Sequence, residues 1–237
     1  MSETIAQRPT FTWHGFLFGV RAAAVLVPTI LFYGFAFGMM AAGQALSSLE
    51  SALFAGLVYA GGAQLASLQA WGEPVPILAV VLTTAAMNAR YLLMGAALRP
   101  WYARLPGWQC YASLFFMGDA NWAMAVREHS KGHVDAAYMV GIGASMWVLW
   151  IASTLAGHAF GSLLGDPRAL GIDFLLAAFF AALSVTFFRL GNSAALPLAV
   201  GVVTAIVVDR LIPGPWYILL GALAGSIAAG LRHVPRP

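Results

Sequence analysis

The sequence predicts an all-α, polytopic integral membrane protein, a helical bundle of about 7–8 spans. Three observations favour this class. Hydrophobic residues make up 61% of the 237 residues, charged residues make up 9%, and the mean hydropathy is +0.81. Soluble domains carry about 25% charged residues, so this surface suits hydrocarbon better than water. Apolar runs also recur at about the 20-residue length that one helical crossing of a bilayer needs.

Polar breaks that carry charge, glycine or proline separate the apolar runs. The candidate spans are 16–42, 52–71, 75–98, 108–126, 136–160, 172–190, 195–212 and 215–231. No linker-like stretch divides them, so we expect one integral transporter-sized domain over 1–237. If all eight spans cross the membrane, the distribution of lysine and arginine between its two sides favours a cytoplasmic location for both termini. If 52–71 is re-entrant, the C-terminus lies on the other side.

Several classes of site are not expected. The single cysteine, Cys110, excludes an internal disulfide. The net charge of +3 is scattered and forms no basic block, so we expect no nucleic-acid partner. The sequence also contains no metal-ligand spacing, no phosphate-binding glycine loop and no nucleotide fingerprint. We therefore predict neither a metal nor a cofactor.

Two spans are predicted to contain broken or re-entrant helices, near residues 25–38 and near residues 59–69. Pro28 lacks a backbone donor, so a break is expected just before it. Adjacent Gly61 and Gly62 weaken the second helix immediately before Gln64. Broken helices at membrane depth often line substrate cavities in transporters. The glycine pairs Gly34/Gly38, Gly157/Gly161 and Gly221/Gly225 have instead the spacing of helix-packing motifs.

A charge lies inside the apolar run "TTAAMNARYLLMGAAL" (83–98). Arg90 lies eight residues before Leu98, about 12 Å deep, and a charge at the bilayer centre costs about 3 kcal/mol. The best candidate partner is Asp119 in the next span, at a depth of about 18 Å from the same loop. Asn88 and Asn121 are expected to complete the polar cluster.

Two interpretations of this pair stay open. It either joins two helices as a structural ion pair or serves substrate binding and transport. Arg90 suits a carboxylate, since its guanidinium can donate two parallel hydrogen bonds. Asp119 suits either an ammonium group or a coupling proton. The cavity would also include Asn88, and an apolar side chain would contact Phe35, Phe37, Phe115 or Phe116.

Five stretches resemble the AzlC family, the large subunits of bacterial branched-chain amino acid exporters. They are "VPTILFYGFAFG" (27–38), "YAGGAQLASL" (59–68), "NARYLLMGAAL" (88–98), "GDANWAMA" (118–125) and "GIDFLLAAFFAAL" (171–183). The resemblance runs from about Gly15 to Gly230. One departure concerns Asp119–Ala120, where the family commonly has an acidic pair.

The resemblance implies export of leucine, isoleucine, valine or methionine across the bacterial cytoplasmic (inner) membrane, driven by the proton gradient. It also implies a small membrane partner subunit of the AzlD type. The expected substrate-binding residues are Arg90, Asn88, Gln64, Gly61, Gly62 and Pro28, with Asp119 for the proton or the ammonium group.

Rival functions are an amino acid channel or uptake permease, an intramembrane enzyme and a scaffold. We expect no enzyme, since Ser145 and His158, thirteen residues apart on one span, would be separated by about 20 Å. A scaffold would leave the buried arginine without a function.

Overall fold

The structure is a computed structural model that describes residues 9–69, 71, 74–133, 135–164, 192–212 and 216–232. Within those ranges the regular secondary structure is helical, apart from an isolated bridge between Thr10 and Asp135. The predicted all-α class is confirmed for these residues. The predicted span 172–190 lies outside them.

The helices follow one another as α1 (Trp13–Ala22), α2 (Val27–Gly43), α3 (Ser48–Val58), α4 (Gly61–Gln69), α5 (Ile77–Asn88), α6 (Arg90–Tyr102), α7 (Gly107–Phe115), α8 (Asp119–Ser130), α9 (Ala137–Leu164), α10 (Asn192–Leu211) and α11 (Trp216–Arg232). A 3-10 segment, Ala23–Leu26, joins α1 to α2.

The contacts divide the chain into two compact units. The first comprises Met1–Gln64 and Asn88–Gly165, and the second comprises Leu65–Met87 and Asp166–Pro237. In the second unit α10 packs on α11 through glycines: a Cβ at Gly225 would lie 3.1 Å from the Pro197 carbonyl oxygen. The predicted packing function of Gly221/Gly225 is thus confirmed. A single integral domain stays a prediction.

In the first unit, glycines let α1 and α2 lie directly against α9. A Cβ at Gly19 would clash with the Tyr138 carbonyl, and one at Gly38 would clash with the Thr154 carbonyl. A Cβ at Gly161 would lie 3.0 Å from Met39 Cα. These contacts confirm the predicted packing function of Gly34/Gly38 and Gly157/Gly161. Residue numbers increase in the same direction along α1–α2 and along α9, from the Gly19–Tyr138 contact to the Gly38–Thr154 contact. The two helical stretches are therefore parallel.

Two helical stretches among the described residues are long and apolar enough to cross a membrane: Trp13–Gly43, with 31 residues, and Ala137–Gly161, with 25 residues. Two parallel crossing helices must be joined by an odd number of further crossings. If both stretches cross the membrane, the chain between them crosses once or three times. Three crossings would match the predicted spans 52–71, 75–98 and 108–126, and the total of 7–8 spans stays a prediction.

Both predicted helix breaks are present. The 3-10 segment Ala23–Leu26 ends just before Pro28, which occupies the first turn of α2, where its missing donor costs no hydrogen bond. The second break lies at Tyr59, whose φ of 40° is left-handed. Gly61 and Gly62 begin α4 after this break instead of forming it.

Two further interruptions correct the sequence prediction, which treated 75–98 and 108–126 as continuous. The first is a single residue, Ala89, whose backbone stays in the helical region. The second separates α7 from α8 at Phe116–Gly118. There Asn121 offers its side-chain amide to the backbone of Phe116 and Gly118, in competition with the helical hydrogen bonds.

Polar residues between α8 and α9, at 131–133 and at Asp135, tie the end of α8 to the start of α9 and to the N-terminal segment. Asp135 accepts hydrogen bonds from Thr12 Oγ1 at 2.5 Å and from the Ala137 backbone at 3.0 Å. Lys131 and His133 bind Glu128, and their hydrogen bonds lower the pKa of that carboxyl. Burial lowers the pKa of His129, which stacks on Trp101. These contacts fix α8 against the long helix α9.

The parallel packing predicts the sidedness of three loop positions. In a variant whose only cysteine has been removed by Cys110→Ser, Thr10→Cys and Lys131→Cys should react with an impermeant maleimide from the same side of the membrane. Ser48→Cys should react from the opposite side, because His158 of α9 hydrogen-bonds the Leu46 carbonyl at 2.7 Å. Labelling of Lys131→Cys and Ser48→Cys from one side would contradict the parallel arrangement.

Candidate functional site

Arg90 and Asp119 form an ion pair, with 2.9 Å between Nη2 and Oδ2. Each is the first residue of its helix, Arg90 of α6 and Asp119 of α8. Each therefore lies directly after one of the two interruptions that the sequence did not predict. The pairing itself, predicted from the depths of the two residues, is confirmed.

The two charges have different surroundings. Asp119 follows an extended residue, Gly118, at the start of α8, where the partial positive charge of a helix N-terminus favours an anion. Arg90 follows Ala89, whose backbone is helical, and two contacts stabilise its charge: the carboxylate of Asp119 and the face of the Tyr91 ring, whose centroid lies 5.3 Å from the guanidinium carbon. Asp119 is thus the principal counter-charge of Arg90.

The ion pair is open to a ligand. The side chain of Arg90 is 39% exposed and that of Asp119 is 59% exposed. A pair that only joins two helices would gain most from being sealed and fully hydrogen-bonded, since half-satisfied buried charges destabilise a fold. The exposure places at least part of both charged groups within reach of a molecule outside the helices.

Two buried polar atoms near the start of α6 have no hydrogen-bond partner among the described residues. They are Arg90 Nε, a donor, and Asn88 Oδ1, an acceptor. Leaving such an atom unpaired costs about 1–3 kcal/mol, so each is a candidate for a hydrogen bond with water or with a bound molecule. The two atoms have opposite hydrogen-bonding character and lie two residues apart, at the junction of α5 and α6.

Asn121 supports the interruption before Asp119. Its side chain is fully buried, and its Nδ2 donates to the carbonyls of Phe116 at 2.6 Å and Met139 at 3.2 Å. Its Oδ1 accepts from the Gly118 backbone at 2.6 Å. The hydrogen bonds of this amide therefore stabilise the interruption between α7 and α8. Asn121 does not complete the polar cluster around Arg90 and Asp119 that the sequence suggested.

Gly143 of α9 is the point where two broken helices meet. The Tyr59 hydroxyl, at the α3–α4 break, donates to the Gly143 carbonyl at 3.0 Å. A Cβ at Gly143 would clash with the Phe116 carbonyl and lie 2.7 Å from Asn121 Nδ2. Only glycine lets the α7–α8 break approach the backbone of α9 this closely.

Gln64 has protein partners at both ends of its amide. Its Nε2 donates to the Phe54 carbonyl at 2.5 Å, and its Oε1 accepts from Trp150 Nε1 at 3.1 Å. A straight helix would place residues 54 and 64 about 15 Å apart along its axis, so the chain must turn at the break. Gln64 therefore fixes the angle of the broken helix, and its direct contact with a substrate stays a prediction.

The other predicted residues near the breaks also have structural surroundings. A Cβ at Gly61 would lie 2.9 Å from the Trp150 ring, so this glycine lets Trp150 reach Gln64. Gly62 lies in the same first turn of α4. Pro28 is exposed at the start of α2. A substrate function for these three residues is not tested by their contacts.

One hydrophobic cluster lies against all the interruptions of the first unit. Its core includes Met117, Met139, Ile142 and Met146, and partly buried side chains pack on it from every break: Leu26, Ile30, Tyr59, Tyr91 and Met94. The sequence did not identify these residues as a group, because no local sequence pattern shows that the helix interruptions lie close together in the fold. The one local signal was Gly118 followed by Asn121, a pattern typical of a helix start.

The phenylalanine side chains that were expected to contact the apolar part of a substrate pack in separate places. Phe37 is fully buried between Phe54 and Trp150, and Phe35 packs on Phe160. Phe116 lies edge-on to Trp147. These rings serve the packing against α9, while the cluster that includes Tyr91 and Met94 combines methionine, tyrosine and aliphatic side chains with Phe11, Trp101 and Trp122.

Comparison with known protein families gives one match: the family described as AzlC protein matches residues 25–164, well over half of the chain. The matched range contains α2 to α9 and with them Asn88, Arg90, Asp119 and Gly143. The stretch 171–183, which resembles the same family, lies beyond the match and outside the described residues. No curated protein and no solved structure matches the chain.

Gly143→Ala should lower the thermal unfolding temperature of the purified protein. The added methyl group forces the Phe116–Gly118 break away from α9, and overpacking of this kind costs about 1–3 kcal/mol. Gly95→Ala is the matched control, since a Cβ there would make an ordinary contact of 3.6 Å with Leu114. Unfolding of both variants at the wild-type temperature would show that the break does not depend on this close approach.

Proposed function

The chain belongs to the AzlC family, and on that premise we propose that it exports branched-chain amino acids from the bacterial cytoplasm. The family is associated with branched-chain amino acid transport, and the long apolar helices fit a membrane protein. The observation that carries the proposal is the ion pair of Arg90 and Asp119, exposed between two apolar helices, each of which begins at that point.

The chemistry of an apolar amino acid fits the groups at this site. Its carboxylate would bind the guanidinium of Arg90, which can donate two parallel hydrogen bonds. Asn88 would help to orient the substrate through its side-chain oxygen. Asp119 would receive either the ammonium group or the coupling proton. A branched aliphatic side chain would lie on the cluster of methionine and tyrosine residues beside Arg90.

The broken helices supply the movement that transport needs. Two of them meet α9 at Gly143, and the Tyr59–Gly143 hydrogen bond connects them across α9. Discontinuous helices that line the substrate site are a recurring feature of secondary transporters. In this proposal Gly61, Gly62, Gln64 and Pro28, which lie at or beside the breaks, contribute to substrate binding together with backbone groups of the α3–α4 break.

The direction, the energy source and the partner come from the resemblance to the family. We propose export across the cytoplasmic (inner) membrane of leucine, isoleucine and valine, with methionine as a further substrate. The proton gradient would drive it, together with a small AzlD-type membrane subunit. The chain would act without a catalytic residue, a metal or a cofactor.

A passive channel or an uptake permease is the second candidate, because an ion pair that is 39% and 59% exposed also suits a continuously open path. Collapse of the proton gradient separates the two. A coupled exporter would stop concentrating leucine outside the cell, whereas a channel would continue to equilibrate it.

Arg90→Ala should abolish leucine efflux from dipeptide-loaded cells, with and without a co-expressed small subunit. Removal of one partner from a charged binding contact weakens binding by more than about tenfold. Arg90→Lys keeps the charge but loses the two-pronged donor, so we expect it to restore only a minor part of the efflux. Arg104→Ala, an exposed loop substitution, is the control for expression and insertion. Wild-type efflux from Arg90→Ala cells that contain inserted protein would remove Arg90 from the transport site.

A further inference from the structure

We propose that the substrate inserts between Arg90 and Asp119 and replaces their direct ion pair, so that Asp119 determines which charge class the site accepts. This inference rests on the proposed function and specifies how the same site selects its substrate. The site would take molecules with one carboxylate and one ammonium group. It would reject acids without the amine and amines without the acid.

The argument begins with the charge of the empty pair. Among the described residues, the ion-pair contacts of Arg90 and Asp119 are with each other, so the pair is neutral as a unit. A zwitterion placed between them keeps each charge beside an opposite one and leaves the total at zero. A simple acid or a simple amine would add one charge without an opposite charge beside it, so it should bind less tightly than a zwitterion.

The geometry of the pair leaves room for this exchange. The Nε and Nη2 hydrogens of an arginine lie on one edge of the guanidinium, and a carboxylate can bind both. Asp119 contacts Nη2 at 2.9 Å, and Nε has no hydrogen-bond partner among the described residues. Asp119 thus leaves the Nε–Nη2 edge incompletely used, and a substrate carboxylate can bind both of its hydrogens.

The other end of the substrate needs an acceptor. Once Asp119 leaves Arg90, both oxygens of its carboxylate can accept hydrogen bonds from an ammonium group. Asp119 lies at a helix start and is 59% exposed, so its side chain can turn without breaking a packed core.

The inference predicts that Asp119→Asn changes the charge class instead of only weakening the site. Asparagine is nearly isosteric with aspartate but leaves Arg90 without a counter-charge. The site then carries a net positive charge, and an anion without an amine becomes the molecule that neutralises it. Arg90→Gln should do the reverse and favour an amine without a carboxylate.

The test uses the purified full-length protein in lipid nanodiscs and three probes that share one carbon skeleton. They are leucine, 4-methylpentanoate, which lacks the amine, and 3-methylbutylamine, which lacks the carboxylate. Calorimetric binding to the wild type should favour leucine by at least about tenfold over either analogue. In Asp119→Asn the order of leucine and 4-methylpentanoate should reverse.

Glu128→Gln is the matched control, because it removes a carboxylate from the same helix, α8, beside the polar residues that follow it. It should keep the wild-type order of the three probes. If Asp119→Asn does not purify as a folded protein, Arg90→Gln with 3-methylbutylamine gives the mirror-image test.

The outcomes separate this inference from the proposed function. A wild-type protein that binds no leucine would overturn the proposed function. A wild-type protein that binds leucine and 4-methylpentanoate equally would overturn the insertion between the two charges and leave the proposed function standing. So would a folded Asp119→Asn variant that still prefers leucine or binds neither probe.

Discussion

The structure of the first unit depends on how a full positive charge is held in an apolar chain. Arg90 begins α6 directly after Ala89, and lipid offers it no compensation. Asp119 supplies the counter-charge from the start of α8, where the helix dipole favours an anion. The ion pair therefore joins α6 to α8 beside the interruption that separates α7 from α8.

Glycine makes this arrangement possible on the opposite side of the unit. Glycines on α9, and glycines on α1 and α2 that face it, let the parallel helices pack with their backbones in contact. Gly143 does the same for the α7–α8 break, and its carbonyl also receives the Tyr59 hydroxyl from the α3–α4 break. The long, straight α9 is therefore the support on which short and broken helices are placed. The same residue therefore contacts both breaks.

Much of this could be predicted from the chain alone. Pro28 identifies the first break because its ring excludes a helical hydrogen bond, and the depths of Arg90 and Asp119 identify the ion pair. The glycine pairs of α2 and α9 were correctly interpreted as packing residues. The resemblance to the AzlC family is confirmed over residues 25–164.

The remainder depends on partners that are distant in sequence. The polar side chain of Gln64 follows two glycines, but no local pattern indicates that Phe54 and Trp150 bind its amide, and its contact with a substrate stays a prediction. Asn121 suggested a member of the polar cluster but braces a break. Ala89 carries no local signal for an interruption at all. In each case hydrophobicity favours a continuous span, and tertiary hydrogen bonds or packing determine the outcome.

The most direct test of the central claim is an electron cryomicroscopy structure of the protein in nanodiscs with leucine bound. The account predicts that the leucine carboxylate lies within hydrogen-bond distance of the Arg90 guanidinium, at the starts of α6 and α8. Leucine bound elsewhere in the molecule, with the direct contact between Arg90 and Asp119 intact, would contradict it.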